Sequence, residues 1–423
     1  MRARQSAERI VIVGAGLAGL RAAERLRELA FDGEIVLIGS EPLRPYHRPA
    51  LSKGFLSGAM SAADLRLQQY QELGAIWRLD TTALHLQPRR RVVHLPGGEQ
   101  MNYDGLIIAT GVEPKRAANI PHGHPRVVVM RTLADAQRLQ KNLAGTRGPV
   151  AVIGGGFTGC EIASSLREMD REVTLIGRSK NLMGNVLGED LGERLTQLHR
   201  DHGVRLALGA SIQDWLPGHT GMGIRLSDGQ MLVASCVVAA VGTVPAVSWL
   251  RGAGLRISDG VVCESTCHVV GADDVVAAGD VAQWPNLRFD AVPRRVEHWL
   301  NAIEMGRAAA ENLLAGPAAA KPFTPMPRFW SEQHGVRIQA AGVPKLGTDT
   351  VALSPPAGGG RTVTGYVRDG RLLGVVGMNS PSAVLAWAAD LDRQCPVPGE
   401  LEVPDRPEFS TGEMSRARIL AGR

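Results

Sequence analysis

The sequence predicts an α/β protein in which two nucleotide-binding units of one design precede a C-terminal α+β region. Three observations carry that prediction. A glycine loop, Gly14-Ala15-Gly16-Leu17-Ala18-Gly19, joins an apolar run to a stretch of helical spacing. A second loop of the same form, Gly154-Gly155-Gly156-Phe157-Thr158-Gly159, stands 140 positions later in the same setting. Beyond a proline-rich stretch, Pro317 to Pro327, the pattern turns to the alternation of antiparallel strands.

Each element can be justified in order. Ile10-Val11-Ile12-Val13 is a short apolar run, the mark of a strand buried on both faces. Leu17 to Leu29 carries apolar residues at helical spacing with charges opposite, and Glu34-Ile35-Val36-Leu37-Ile38 closes the unit as a second strand. Val150 to Ile153, a helix over Glu161 to Met169, and Val173 to Ile176 repeat the arrangement around the second loop. One G-x-G-x-x-G is weak evidence. Two, each running strand to loop to helix to strand, are strong, because glycines permit the tight turn and bring backbone amides to a pyrophosphate at the positive end of the helix. The chain therefore reads as two Rossmann-like units and two dinucleotides.

Later landmarks extend this pattern. Tyr103 to Gly111 and Val237 to Pro245 each read as a buried strand turning on glycine, and Val275-Val276-Ala277-Ala278-Gly279-Asp280 as a strand delivering a carboxylate. Arg295-Val296-Glu297-His298-Trp299 leads into a helix over Asn301 to Leu314. Asp369-Gly370 signals a hairpin, and Arg89-Arg90-Arg91, between Pro88 and Val92, a solvated hairpin turn.

Composition bounds the class. At 423 residues the chain has the length of about three domains. The balance of 47 basic and 42 acidic side chains excludes a nucleic-acid signature and leaves a mild excess suited to an acidic partner. Five cysteines fit reduced thiols, and Cys263 and Cys267 lack the companion pair of a zinc site, so no metal is expected. No apolar run approaches the roughly 20 residues that span a bilayer, and the segment before Ile10 is too short for an address signal. The expected location is the cytoplasm, with no membrane partner.

Taken in order, these landmarks resemble the FAD-dependent pyridine nucleotide oxidoreductases. Pro45-Tyr46-His47-Arg48-Pro49-Ala50-Leu51-Ser52-Lys53 narrows the resemblance to the ferredoxin reductase branch that serves bacterial oxygenase systems, with Ala50 where that branch usually has proline, and Phe329-Trp330-Ser331-Glu332-Gln333 matches too. The resemblance implies a split FAD-binding domain over 1–120 and 245–322, an NAD(P)-binding domain inserted over 121–244, and an interface domain over 323–423. FAD would lie on Gly14, Gly16, Leu17, Ala18 and Gly19. Ala83, Ala109, Thr110, Gly111, Arg131, Gly279, Asp280, Glu297, His298 and Trp299 complete its contacts, with Asp280 on the ribityl chain and Arg48 and Lys53 on the flavin nucleotide. The nicotinamide dinucleotide would take Gly154, Gly156, Phe157, Thr158, Gly159 and Gly242.

The positions after each second strand separate the two nucleotides. Glu41, following Gly39 and Ser40, is the candidate acid for the adenosine ribose of FAD. Gly177 stands where NADH-using relatives carry Glu, and Arg178 follows. Loss of the acid and gain of a bidentate cation tilt the reading from NADH toward NADPH, the alternative being a solvated Arg178 beside a tolerant pocket.

By the same resemblance Lys53 and Glu161 pair near the nicotinamide as the catalytic electrostatic elements, an ordinary helix-start Glu being the alternative for Glu161. The segment Arg44 to Lys53, where disulfide reductases of this superfamily hold their redox thiols, is free of cysteine, and Cys160 has the neighbours of a core residue. Electrons must then leave singly to a docked carrier, a small iron-sulfur ferredoxin feeding a haem-thiolate or Rieske oxygenase. Arg294, Arg295 and Arg328 are the candidate exposed cations for that docking, and Trp330 either shields the flavin or fills core. A monomer or weak dimer is expected. The rival readings are a redox-sensing flavoprotein resembling apoptosis-inducing factor, and a reductase for rubredoxin, nitrite or monodehydroascorbate.

Overall fold

A computed structural model describes residues 8–69, 72–219, 221–357 and 361–394; the end of the expected interface domain, with Cys395, lies outside them. The first glycine loop follows strand β1 (Arg9–Val13) and opens helix α1 (Leu17–Glu28), which returns to β2 (Glu34–Ile38). β1 is the centre of a six-stranded sheet between Gly105–Ile108 and β2, with Ala272–Ala277 and Ile76–Arg78 beyond them. Its residues Ile10 to Ile12 are fully buried, which explains the unbroken apolar run and stabilises by about 1.5–3 kcal/mol for each large side chain.

Register places the site. Val13, Ile38, Ile108 and Ala277 stand level in neighbouring parallel strands, so Gly14, Gly39, Ala109 and Ala278 all leave the sheet at one edge. That carboxyl edge is where open parallel sheets bind ligands. Its strands come from both ends of the chain.

Helix α2 (Leu133–Ala144) precedes the second unit, in which β3 (Val150–Ile153), α3 (Phe157–Glu168) and β4 (Val173–Gly177) repeat the first. Helix α4 (Glu189–Asp201) follows. The sheet is parallel and five-stranded, ordered Arg205–Leu208, β4, β3, Cys236–Ala239, Val127–Val129. Here too the strand ends are level, Ile153 beside Ile176 and Ala239. α3 starts at Phe157 rather than at Glu161 as the apolar pattern suggested. Gly156 is extended and caps the helix, so the last residues of the loop already form its first turn.

Helix α5 (Trp299–Ala315) lies against α1 so closely that a Cβ added at Gly306 would overlap the Ala18 carbonyl oxygen. The proline-rich segment after it has no regular structure yet is tied down: Trp284 Nε1–H donates to the Phe323 carbonyl (3.1 Å) and Asn286 to that of Pro325 (2.9 Å). Strand β5 (Arg328–Gln333) then opens a five-stranded antiparallel sheet with Val336–Gly342, Arg371–Met378, Arg361–Arg368 and Asp349–Ala357, backed by helix α6 (Pro381–Gln394). Asp369 and Gly370 both have positive φ, 51° and 72°, the geometry of the expected hairpin turn. The basic run also turns a hairpin, with Arg91 left-handed at φ 56°.

Candidate active site

Both glycine loops are built by the same close approach. At Gly14 (φ +121°) an added Cβ would overlap the Ala109 carbonyl, and at Gly154 (φ +116°) that of Ala240; at Gly19 and Gly159 it would overlap the carbonyls of Gly14 and Gly154. The loops therefore press against the neighbouring strand and against their own helices. α1 and α3 are each capped by a glycine without a side-chain bond and have no acid in the first turn. α2, by contrast, has a full capping box in which Thr132 and Asp135 satisfy each other's amides. The amides of Leu17 to Gly19 precede the first helical bond, Leu20 N–H to Gly16 (2.9 Å), and stay available to an anion.

A cleft of about 550 Å³ lies at the carboxyl edge of the first sheet. It is lined by Gly14, Gly16, Leu17, Ala18, Glu41, Arg48, Lys53, Ala83, Ala109, Thr110, Gly111, Arg131, Gly279, Asp280, Glu297, His298 and Trp299. Phe157, Thr158 and Glu161 enter from the second unit and Trp330 from the C-terminal sheet. Gly19 instead lies beneath the loop. Gly154, Gly156, Gly159, Arg178 and Gly242 are outside this cleft, at the carboxyl edge of the second sheet.

Charged groups in the cleft are held in pairs. The Glu41 carboxylate accepts from the Tyr46 hydroxyl (2.6 Å) and is ion-paired with Arg48, whose guanidinium also reaches the Arg131 carbonyl (3.0 Å). The Tyr46 hydroxyl accepts from the Leu133 amide (2.9 Å), and burial raises its pKa. Asp280 meets Arg131 at 3.4 Å; burial pushes its carboxyl up from the usual aspartate range, opposed by Arg131. His298 is pushed down to about 4 by burial, and its Nδ1 is a buried atom with no hydrogen-bond partner in the protein.

Lys53 and Glu161 form an ion pair, Nζ to Oε2 2.6 Å, with the carboxylate 9% exposed. Glu161 sits one turn inside α3, not at its start. Two residues that sequence reasoning passed over share that carboxylate: Ser52 Oγ–H donates to Oε2 and Ser331 Oγ–H to Oε1, both at 2.7 Å. One side chain of the second unit is thus held by the loop of the first and by the C-terminal sheet. Ser52 precedes Lys53 and Ser331 precedes Glu332; a short polar residue next to a charged one was the available signal.

The docking cations need correction. Arg295 is only 9% exposed and bound by Glu297 (2.8 Å) and Asp259 (3.2 Å), and Arg294 is half-buried on Asp290 (2.5 Å). Arg328 alone of the three is exposed. Cys160 is fully buried, and desolvation pushes its thiol above the ordinary range. None of the cysteines described lines the cleft.

These features fit a dinucleotide. The uncapped N-terminus of α1, Gly16 with no atom within 4 Å of an added Cβ, and the half-buried Asp280 border one cleft. Fold and site together define an oxidoreductase with two nucleotide sites. The chain belongs to the pyridine nucleotide-disulphide oxidoreductase family, which residues 8–306 match, and residues 328–401 match the reductase C-terminal family. It is accordingly an FAD-dependent oxidoreductase that uses NAD(P)H.

Its relatives narrow the comparison. It is 32% identical over 381 residues (88% of this chain, 91% of the relative) to a probable ferredoxin reductase of Castellaniella defragrans. It is 32% identical over 336 residues (79% and 81%) to the ferredoxin–NAD(+) reductase component of the p-cumate 2,3-dioxygenase system of Pseudomonas putida. Among solved structures, the covalent putidaredoxin reductase–putidaredoxin complex covers 92% of this chain and 94% of its own, at 26% identity and a TM-score of 0.85.

Proposed function

We propose that this protein is a ferredoxin–NAD(P)+ reductase that supplies single electrons to a small iron-sulfur ferredoxin serving an oxygenase. The carrying observation is the Lys53–Glu161 pair, which joins the FAD loop, the nicotinamide-side helix and the C-terminal sheet at one point. FAD, when bound, supplies the conversion of a two-electron hydride into single electrons. The protein's residues bind and orient. The α1 amides would cradle the pyrophosphate, Asp280 with Arg131 would hold the ribityl chain, and Glu41 with Arg48 the adenosine side. Gly154 to Gly159 receives NAD(P)H, and Phe157, packed edge-on against Phe329 at 5.1 Å, closes the cleft beside Trp330. Because none of the described cysteines lines the cleft, direct electron exit to a docked carrier is the proposed route, which separates this reading from the disulfide reductases.

The strand membership of the six-stranded, the five-stranded parallel and the C-terminal antiparallel sheets supports a division into 1–120 with 245–322, 121–244, and a third region from 323, proposed to run to 423. Arg178, exposed beyond Gly177 at the end of β4, supports the preference for NADPH over NADH. No helix among the described residues is long and apolar enough to cross a membrane; a cytoplasmic monomer or weak dimer is proposed.

The test is an anaerobic titration of the purified protein with NADPH and NADH, followed by transfer to oxygenase ferredoxins. Flavin bleaching by NAD(P)H and rapid ferredoxin reduction are expected. Turnover with ferricyanide but with no iron-sulfur protein would overturn the ferredoxin assignment in favour of a sensor.

A further inference from the structure

Behind Glu161, Ser331 opens a line of fully buried polar groups that continues beyond its contact with that carboxylate. Ser331 and Gln333, alternate residues of β5 on one face, and His199 of α4 are each completely shielded from solvent. Ser331 Oγ lies 2.7 Å from Glu161 Oε1 and 3.1 Å from Gln333 Nε2. Gln333 Oε1 lies 3.0 Å from His199 Nε2, and His199 Nδ1 3.0 Å from His334 Nε2.

The direction of every bond is fixed by counting hydrogens. Ser331 has one, and the carboxylate can only accept it, so the amide of Gln333 must donate to Ser331. The other Gln333 N–H faces Met183 Sδ (3.4 Å), leaving Oε1 toward the histidine, whose Nε2 must then donate. Burial favours a neutral His199, so its Nδ1 is left to accept from His334. All four dipoles point their positive ends at Glu161. Aligned hydrogen bonds in a dry interior polarise one another, so the chain fixes the orientation of the carboxylate toward Lys53.

We infer that Ser331 and Gln333 are positioning residues: with His199 and His334 they form a one-way hydrogen-bond chain that holds Glu161 against Lys53. This inference rests on the flavoenzyme reading and deepens it. It extends the part of the C-terminal sheet from contact with Glu161 to the positioning of that carboxylate for the nicotinamide step.

The FAD-loaded full chain carrying Ser331→Ala, Ser331→Thr or Gln333→Leu tests the proposal. Ser331→Ala is expected to slow flavin reduction by NADPH about tenfold in anaerobic stopped flow, the scale of one lost bond to a charge. The equilibrium dissociation constant for NADP+, read by fluorescence, should change less than about twofold, and Ser331→Thr should restore most of the rate. Gln333→Leu, one link further out, should slow the step by a smaller factor and keeps the test open if Ser331→Ala does not fold. In a double-mutant cycle with Glu161→Gln, the thermal midpoints of the loaded proteins should be non-additive. An unchanged reduction rate in both Ser331→Ala and Gln333→Leu, or strictly additive midpoints, overturns the inference. A wild-type chain that shows no flavin bands overturns the flavoenzyme reading instead.

Discussion

The two glycine-loop units share a backbone and differ in what surrounds it. Around the first, charges are held in pairs, Glu41 with Arg48 and Tyr46 and Asp280 with Arg131, and α1 is clamped by α5 at Gly306. Around the second, Gly177 offers no side chain and Arg178 stands exposed without an ion pair among the described residues. The first is built to retain a nucleotide, the second to exchange one. This division suits a resident cofactor and a diffusing donor.

The largest test of that contrast is a pair of loop substitutions. Gly14→Val and Gly154→Val each force a side chain onto a carbonyl at positive φ. Gly14→Val should purify without flavin absorbance. Gly154→Val should stay yellow yet be reduced by NADPH at least about 100-fold more slowly, the loss expected when the reactant is no longer positioned. Loss of flavin in both would show that the units are not separable.

Breaking the bridge between the units comes next. Lys53→Ala leaves the Glu161 carboxylate with its two serines and without its cation, and kcat/KM for NADPH should fall by about 10- to 100-fold. A variant within twofold of wild type would remove the pair from the mechanism.

A smaller effect belongs to Arg178. If Arg178 holds the 2′-phosphate as proposed, Arg178→Ala should raise KM for NADPH about tenfold and leave NADH unchanged. Raised salt should narrow the difference because the group is exposed. Equal responses of both donors would return Arg178 to an ordinary surface role.

The smallest effect lies where the second unit meets the C-terminal sheet. His199 and His334 touch at 3.0 Å and His334 stacks on His202 at 4.3 Å, with Arg167 alongside. Burial, with the neighbouring cations, pushes His334 down to about 3, and burial lowers His199. The unfolded chain takes up protons near the ordinary histidine value of about 6.5, where the folded chain does not. Stability is therefore full above that pH and falls as pH drops below it, by at most about 1.4 kcal/mol per pH unit for each group. The thermal midpoint should fall by several degrees between pH 7.5 and 5.5, and His334→Phe should flatten that dependence. The first unit, whose cleft carboxylates are paired with arginines, should retain flavin over the same range.

The histidines also mark where sequence reasoning stopped. Local pattern was enough to find both loops, their strands and the hairpin at Asp369-Gly370, because turn chemistry and apolar runs act over a few residues. Lys53 and Glu161 were legible through motif resemblance. Ser331, Gln333 and His199 were not, since their roles depend on β5 lying over α3 and α4, a contact between residues more than 130 positions apart. Arg294 and Arg295 misled for the same reason. A basic pair reads as exposed until Asp290, Asp259 and Glu297 are folded against it.

What the sequence by itself determined is the pair of nucleotide sites, because a glycine loop between strand and helix carries its own geometry wherever it is placed. Only the tertiary structure decided how those sites cooperate. The register that levels Val13 with Ile108 and Ala277, and the packing that brings Ser52, Glu161 and Ser331 within 2.7 Å, join segments whose local sequences carry no information about one another. Burial and hydrogen-bond satisfaction are properties of the whole assembly, and they select the partners that short-range pattern leaves undetermined.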